Sequence, residues 1–210
     1  MSQDTSPTPD FSVFGGGLAG PLMALYLEQA GKTVNIFELR KDPRPSKDEG
    51  GRSINLALSH RGIHALKEVG VLDKVLETAI PMRGRMMHGV DGSLTFQPYG
   101  TEPDHVLYSV SRSGLNRLLL QEAGKRDNIN LLFERKCLWL DLAERQGHFE
   151  IPGEAEPVTL PVGSVIGADG AFSKVRAAIR RRERFNYQQD YLTYGYKELT
   201  MPPDADGGFK

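Results

Sequence analysis

Three glycines near the start of the chain have the spacing of a phosphate-binding loop. Gly15-x-Gly17-x-x-Gly20 lies between a predicted strand and a predicted helix, as a dinucleotide-binding loop does. Glycines there let the backbone turn tightly and approach a pyrophosphate, and the helix N-terminus presents N–H groups to it. Glu38 ends the next predicted strand, where its carboxylate would accept bonds from an adenosine ribose. Because a carboxylate disfavours a 2′-phosphate, the pattern indicates FAD or NAD rather than NADP.

A second stretch, GRSINLALSHRG at residues 51–62, predicts a half-buried strand with an unusual outer face. Leu56 and Leu58 alternate with small residues such as Ala57, so one face is apolar and the other offers little bulk. A flat group could lie against the small face. Arg52 stands at the entrance of this strand, where it would hold that group or be an ordinary solvated arginine.

Residues 83–99 predict a β-hairpin whose loop is Asp91–Ser93. A three-residue loop places Arg85 directly across from Tyr99. The same register gathers the apolar side chains on one face: Met86, Val90, Leu94, Phe96 and Pro98. Taken alone, this pattern is that of a surface cross-strand pair.

Two later motifs complete a recognisable order. Arg112 precedes a predicted mid-chain helix in SVSRSGLNRLL, and VIGADGAFSKVR predicts a buried strand that ends in Asp169-Gly170 at a helix start. The glycine loop, this arginine and the Asp-Gly motif resemble the flavin-dependent aromatic hydroxylases. The stretches GRSINLALSHRG, IPMRGRMMH, PYGT and YGYKELT resemble the branch of that family that hydroxylates kynurenine. The similarity runs from about Val13 to Pro203.

The resemblance implies an α/β fold, namely a Rossmann-like FAD-binding domain of the aromatic hydroxylase type with an inserted substrate-binding β-sheet. Residues 11–80 and 101–184 would form the FAD-binding domain, residues 81–100 and 185–210 would begin the substrate-binding domain, and residues 1–10 would be a disordered tail. We expect the chain to lack a C-terminal half. The cofactor positions that the resemblance implies are Gly15, Gly17, Ala19, Gly20, Phe37, Glu38, Leu39, Arg40, Arg52, Ala57, Arg112, the backbone at Cys137, and Asp169.

The resemblance also implies an activity. NADPH would reduce bound FAD, O₂ would add at flavin C4a, and the hydroperoxide would convert L-kynurenine to 3-hydroxykynurenine. Arg85 and Tyr99 would bind the substrate carboxylate. We expect no side-chain acid or base, because the amino group of kynurenine activates its ring. The alternatives are a hydroxylase for another aromatic acid and a nucleotide-binding fragment without turnover.

Composition narrows the class of protein. The 210 residues suffice for one sizeable domain, and 39% hydrophobic and 25% charged residues are ordinary for a soluble protein. A net charge of −1 argues against nucleic-acid binding, and a single cysteine suits a reducing compartment. The polar start MSQDTSPTPD is not a secretory signal, so we expect a cytoplasmic protein. Eukaryotic members of the family carry a C-terminal membrane anchor, so the mitochondrial outer membrane is an alternative location if the protein is eukaryotic and full-length.

These motifs require a set of elements to position them. Period and turn signals predict strands at Phe11–Phe14, Thr33–Phe37, 129–133, 137–142, 147–151, 161–168 and 191–200, and helices at 18–30, 60–70, 72–77 and 113–123. Five arginines between residues 176 and 184 indicate a solvated helix face. The five histidines show no metal-ligand spacing.

Overall fold

A computed structural model describes residues 7–45, 55–102, 105–181, 184–195, 202–203 and 205–207. Arg52 lies outside the described residues. The described helices are α1 (Ala19–Gln29), α2 (His60–Glu68), α3 (Leu72–Leu76), α4 (Arg112–Ala123) and α5 (Lys174–Arg180). The described strands are β1 (Phe11–Phe14), β2 (Val34–Phe37), β3 (Asn55–Leu58), β4 (Ile80–Met82), β5 (Gly84–His88), β6 (Leu94–Pro98), β7 (Leu107–Ser111), β8 (Ile129–Leu132), β9 (Lys136–Asp141), β10 (Gln146–Glu150), β11 (Val158–Pro161) and β12 (Ser164–Gly167).

A four-stranded parallel sheet, in the order β12-β1-β2-β8, forms the centre of the fold. Helices α1 and α4 pack together on one face of it, where Val13, Ile36, Leu25 and Leu119 are buried in one cluster. The antiparallel sheet β11-β10-β9 covers the other face. The result is a three-layer arrangement in which both faces of the parallel strands are buried, as such sheets require.

Three phenylalanines join the parallel sheet to the antiparallel one. Phe14 and Phe37 come from adjacent parallel strands, and their rings stack 5.2 Å apart. Phe149 of β10 stacks on Phe37 at 4.6 Å and is completely buried. Because β1 and β2 both end at this cluster, it fixes the strand ends from which the glycine loop and Glu38 emerge.

Two helices on the α1 side end in the same way, and each end depends on a glycine with positive φ. In α1, Gly31 (φ +72°) donates to Glu28, and the next residue, Lys32, donates to the Leu27 carbonyl. In α2, Gly70 (φ +72°) and the residue after it repeat this pattern. Both are Schellman ends, where glycine adopts the left-handed conformation without a Cβ penalty. The predicted stop of α1 at Gly31 is confirmed.

The strand predicted from GRSINLALSHRG is confirmed for β3, the part that the structure describes. Asn55 and Ala57 are exposed, whereas Leu58 is buried, so the small residues do share the outer face. β3 pairs antiparallel with β7, and β7 pairs with β4. The register sets Asn55 opposite Ser111 and Ala57 opposite Ser109.

The predicted hairpin forms, but its predicted register is wrong by two residues. Arg85 pairs with Gln97, and Tyr99 instead donates its N–H to the Arg83 carbonyl (3.0 Å). The loop comprises residues 90–92, one residue earlier than predicted, because the Gly89 N–H donates to the Ser93 carbonyl (2.8 Å). Val90 is therefore fully exposed at the tip. A shift of two preserves the faces, since side chains alternate with a period of two.

Two further sequence predictions need correction. The segment 161–168 is not one strand: β11 ends at Pro161 and β12 begins at Ser164, because the chain changes sheets at Gly163, where a side chain would collide with the Pro9 carbonyl. β12 is an edge strand and only half-buried, not the buried strand that its apolar sequence indicates. Residues 191–195 form no strand, and the rest of that prediction lies outside the described residues.

Glu122 of α4 fastens α3 to the core through Lys74, and it also pairs with Lys125, which follows its own helix. Its Oε1 accepts from Lys74 Nζ (2.8 Å) and from Lys125 Nζ (2.7 Å), and the carboxylate is nearly buried. Burial alone would raise the pKa of Glu122, but the bonds from the two lysines together outweigh burial and hold the pKa below its usual range.

Within the described ranges, no helix is long and apolar enough to span a membrane.

We predict a pH-dependent loss of stability in Glu122→Gln. At pH 7 the variant should lose about 1–2 kcal/mol of unfolding free energy, since it loses charge-assisted bonds. Because the folded-state pKa is lowered, the stabilisation is complete above the unfolded pKa and disappears as the pH falls through the folded one. Urea unfolding at pH 7 and pH 4 checks this, with Glu150→Gln, which breaks the exposed Lys136 pair, as the control. A difference that grows on acidification would contradict it.

Candidate functional site

The glycine loop connects β1 to α1, and two of its glycines are required by packing. Gly15 has φ +109°, and a Cβ there would collide with the Ala168 carbonyl just after β12. A Cβ on Gly20 would collide with the Gly15 carbonyl. The loop is therefore folded tightly on itself and against the end of the neighbouring strand, which is the close approach that a phosphate-binding loop needs.

Gly17 serves a different purpose from its neighbours. It is exposed, and a Cβ built on it would meet no atom within 4 Å. The space above it is therefore open, and the first turn of α1, which contains the exposed Ala19, begins beside it. Such a helix start carries N–H groups and a partial positive charge suited to a pyrophosphate.

Glu38 lies against this loop. Its Oε2 accepts from the Gly16 N–H (2.6 Å) and its Oε1 accepts from the Arg40 N–H (2.9 Å). Each carboxylate oxygen retains a lone pair, so the group could still accept from ribose hydroxyls. The neighbouring Phe37 side chain is buried in the phenylalanine cluster, so only its backbone can serve the site, whereas Leu39 and Arg40 are exposed.

α4 approaches the loop from the other side. Asn116 Nδ2 donates to the Gly16 carbonyl (2.7 Å), which brings the start of α4 to the glycine loop. Arg112, one turn earlier, is exposed at this helix start, and the Ser111 side chain caps the helix by accepting from Gly114 N–H (3.2 Å). Because β7 leads directly into α4, the exposed Ala57 of the paired strand lies near the same helix start.

Asp169 and Cys137 lie on the β12 side of the loop. Asp169 follows Ala168, which contacts Gly15, and its Oδ2 accepts from the backbone N–H of Lys174 (2.6 Å) at the start of α5. Its Oδ1 is buried and has no hydrogen-bond partner among the described residues. Burial raises the pKa of the Cys137 thiol to about 12, and the negative charge of Asp169 adds to this shift.

The proposed substrate residues occupy the separate hairpin β5–β6. Arg85 is exposed, and its Nε and Nη2 donate to Gln97 Oε1 (2.8 and 2.6 Å). Tyr99 lies two residues after Gln97, so it is diagonal to Arg85 on the same face of the hairpin. Arg85 and Tyr99 are therefore neighbours but not a directly opposed pair.

Two polar residues, one at the glycine loop and one in the hairpin, were not predicted from the sequence. Asn116 lies four residues after Arg112, on the same side of a helix, and that spacing is a signal that could have identified it. Gln97 would have been found only with the correct hairpin register. Across the described ranges, no three His, Cys, Asp or Glu side chains group as a metal site would require.

A glycine loop, an acidic residue after the second parallel strand, and an Asp-Gly turn at the next strand end define a dinucleotide-binding flavoprotein fold. A family described as "FAD binding domain" matches residues 10–195, and the chain belongs to this family. The site fits FAD for two reasons. The open space at Gly17 suits the pyrophosphate, and Asp169 Oδ1, which has no hydrogen-bond partner among the described residues, could accept a hydrogen bond from the cofactor. FAD is accordingly the cofactor that the family and the site agree on.

The chain is similar to several proteins named kynurenine 3-monooxygenase. It is 44% identical to that of Anopheles gambiae over 95% of this chain and 41% of that protein. Identity is 43% for Salinispora tropica (93% and 43%) and 40% for Dictyostelium discoideum (95% and 42%). The chain therefore spans less than half of the length of these relatives.

Solved structures share the fold. The flavin-dependent monooxygenase PieE, in complex with FAD and substrate, has a TM-score of 0.69 at 22% identity, over 85% of this chain and 33% of that one. PqsL, a probable FAD-dependent monooxygenase from Pseudomonas aeruginosa, has a TM-score of 0.66 at 20% identity, over 88% and 48%. These likenesses confirm the predicted fold class.

We predict that Glu38→Ala weakens FAD binding by about 1.5–3 kcal/mol, because a charged acceptor is lost. That corresponds to a dissociation constant about 10- to 150-fold higher. Glu38→Gln should lose less, since its amide oxygen can still accept from the Gly16 N–H. Flavin fluorescence titration measures both variants. A dissociation constant equal to the parent's in Glu38→Ala would show that this carboxylate supports the loop but does not bind FAD.

We predict that the Cys137 thiol is inert in the folded chain. With a pKa of about 12 it is almost entirely protonated at pH 8, and the thiolate is the reactive form. Alkylation by iodoacetamide at pH 8 should therefore be roughly a thousand-fold slower than in 8 M urea, where the ordinary thiol pKa of about 8.5 returns. Equal rates in the two conditions would refute the burial of this group.

Proposed function

We propose that this chain is the FAD-binding part of a NADPH-consuming monooxygenase that converts L-kynurenine to 3-hydroxykynurenine. One observation carries the proposal: sequence identity of 40–44% over 93–95% of the chain to kynurenine 3-monooxygenases from an insect, a bacterium and an amoeba. The cofactor site supports it, since the glycine loop, Glu38 and Asp169 converge at one sheet edge. Bound FAD would supply the oxygen chemistry, with NADPH as reductant and O₂ as co-substrate.

In this proposal the residues of the chain bind FAD and orient it. The loop around Gly17 and the start of α1 would hold the pyrophosphate, Glu38 the ribose, and Arg112 with Ala57 the part of the cofactor that extends toward β3. The small outer face of β3 supports this last role, because a flat ring needs a face without bulk. Cys137 would contribute through its backbone, since its thiol stays protonated.

Substrate binding is proposed for the hairpin. Gln97 occupies the Nε and Nη2 edge of the Arg85 guanidinium, and among the described residues no hydrogen bond engages Nη1, so that side could bind a carboxylate. The Tyr99 hydroxyl lies diagonal to it and could add a second donor. An aromatic amino acid such as kynurenine would be held by its carboxylate at this point.

The second candidate is a nucleotide-binding chain that does not turn over. The hairpin favours it, because Met86, Leu94 and Phe96 are each at least half exposed and so provide no enclosed substrate chamber in the described part of the chain. Kynurenine-stimulated NADPH oxidation by the longer protein would support the first candidate. Stimulation by a different aromatic acid alone would point to another hydroxylase.

We predict that the 210-residue chain binds FAD weakly and does not hydroxylate kynurenine. Water reaches the exposed hairpin, and oxygen transfer from a flavin requires a site that excludes water. Flavin titration and chromatographic assay of 3-hydroxykynurenine test the two parts separately. Product formed by this chain alone would contradict the prediction.

In the longer enzyme, we predict that Arg85→Ala lowers kcat/KM by about 30-fold to several thousand-fold, which corresponds to about 2–5 kcal/mol for an enclosed charge pair. Arg85→Lys should recover part of this loss, because it keeps the charge without the fork. Tyr99→Phe should lose only about 0.5–1.5 kcal/mol, the value of a neutral hydrogen bond. Flavin content should be unchanged in all three. Parent-like kynurenine binding by Arg85→Ala, or a defect mainly in flavin content, would exclude this role.

A further inference from the structure

Gly16 is held on both sides by side chains from two different elements. Its N–H donates to Glu38 Oε2 (2.6 Å), and its carbonyl accepts from Asn116 Nδ2 (2.7 Å). Gly16 is buried and Asn116 is half-buried, whereas the adjacent Gly17 is exposed. The bond from Asn116 joins α4 to a loop a hundred residues earlier in the chain. It therefore acts on the backbone of the loop, at the residue before the open position.

The bond from Asn116 determines where the Gly17 N–H points. A trans peptide is planar, so the Gly16 carbonyl and the Gly17 N–H point in opposite directions. With the carbonyl directed at Asn116, the N–H is directed away from that side chain, and Gly17, which carries it, is exposed. A Cβ built on Gly17 would meet no atom within 4 Å, so there is open space beside the residue that carries this N–H. An anion in that space could accept a hydrogen bond from the Gly17 N–H.

The opposite orientation would be harmful to such an anion. The peptide joins two glycines, which have little steric resistance to rotation of the peptide plane. After rotation, the Gly16 carbonyl oxygen would face the open side and repel a phosphate oxygen. A hydrogen bond to that carbonyl opposes the rotation.

We propose that Asn116 is a positioning residue that locks the Gly16–Gly17 peptide in the orientation that presents the Gly17 N–H to the pyrophosphate of FAD. The proposal rests on FAD binding by this site and adds the residue that prepares it. Asn116 itself need not touch the cofactor. Its effect reaches FAD through the backbone of the loop.

The test compares Asn116→Ala with Asn130→Ala in the 210-residue chain. Asn130 is a matched control, because its Nδ2 also donates one side-chain bond, to Asn35 Oδ1 (2.9 Å), on β8 rather than at the loop. Flavin fluorescence titration should give a dissociation constant about 3- to 10-fold higher for Asn116→Ala, the worth of one hydrogen bond. Asn130→Ala should equal the parent. Asn116→Asp should bind more weakly than Asn116→Ala, because its carboxylate repels the Gly16 carbonyl and favours the rotated peptide.

A second measurement does not depend on flavin. Amide hydrogen exchange of the apoprotein, followed by NMR, should show faster exchange or a shifted resonance at Gly17 in Asn116→Ala, with an unfolding midpoint in urea close to that of Asn130→Ala. Parent-like Gly17 exchange together with a parent-like dissociation constant would overturn the proposal. So would a loss of affinity that merely follows a general loss of stability, with Asn116→Asp no weaker than Asn116→Ala. If the parent chain itself bound no FAD, the proposed function would fail, and Gly17 exchange alone would decide the role of Asn116.

Discussion

Two backbone hydrogen bonds at the end of β1 hold the site together. The Gly15 N–H donates to the Phe37 carbonyl (2.8 Å), and the Ala168 N–H donates to the Phe14 carbonyl (2.8 Å). They extend the parallel pairing of β1 with β2 on one side and with β12 on the other, just beyond the strands. Because parallel strands end at one edge of the sheet, this pairing brings together the glycine loop, Glu38 and Asp169 from three distant parts of the sequence. The loop cannot shift without breaking one of these ladders.

The layers on either side of the sheet reinforce that constraint. On one face, Phe149 stacks on Phe37 and Phe14, the last residues of the two strands. On the other face, α4 packs on α1 and reaches the loop through Asn116. The core and the cofactor edge are thus continuous, and a change in either layer would be felt at the loop because packed interiors transmit displacement.

The parts of the fold that depend on local signals could be predicted from the sequence. β1, the glycine loop, α1 and β2 follow from alternation, glycine spacing and the stop at Gly31, and all four lie where the pattern places them. The hairpin register could not be predicted, because the observed loop, residues 90–92 closed by the bond from the Gly89 N–H to the Ser93 carbonyl, competes with a loop of the same length one residue later. Asn116 and Glu122 were missed for another reason: each acts across elements, and only the packing of α4 reveals its partner.

The two halves of the proposed active site differ in how far the described fold prepares them. At the cofactor edge, Gly16 is buried and held by two side chains, and Gly15 and Gly20 are packed too closely for any other residue. The hairpin is held by its own ladder, by the bond from Arg85 to Gln97 and by the bonds from Ser93 to Asp91 at its tip, and both of its faces are exposed. An isolated two-stranded ribbon is marginally stable in water, so its geometry requires further contacts to become fixed. Cofactor binding can therefore be a property of this fold, whereas substrate recognition depends on whatever covers the apolar face of the hairpin.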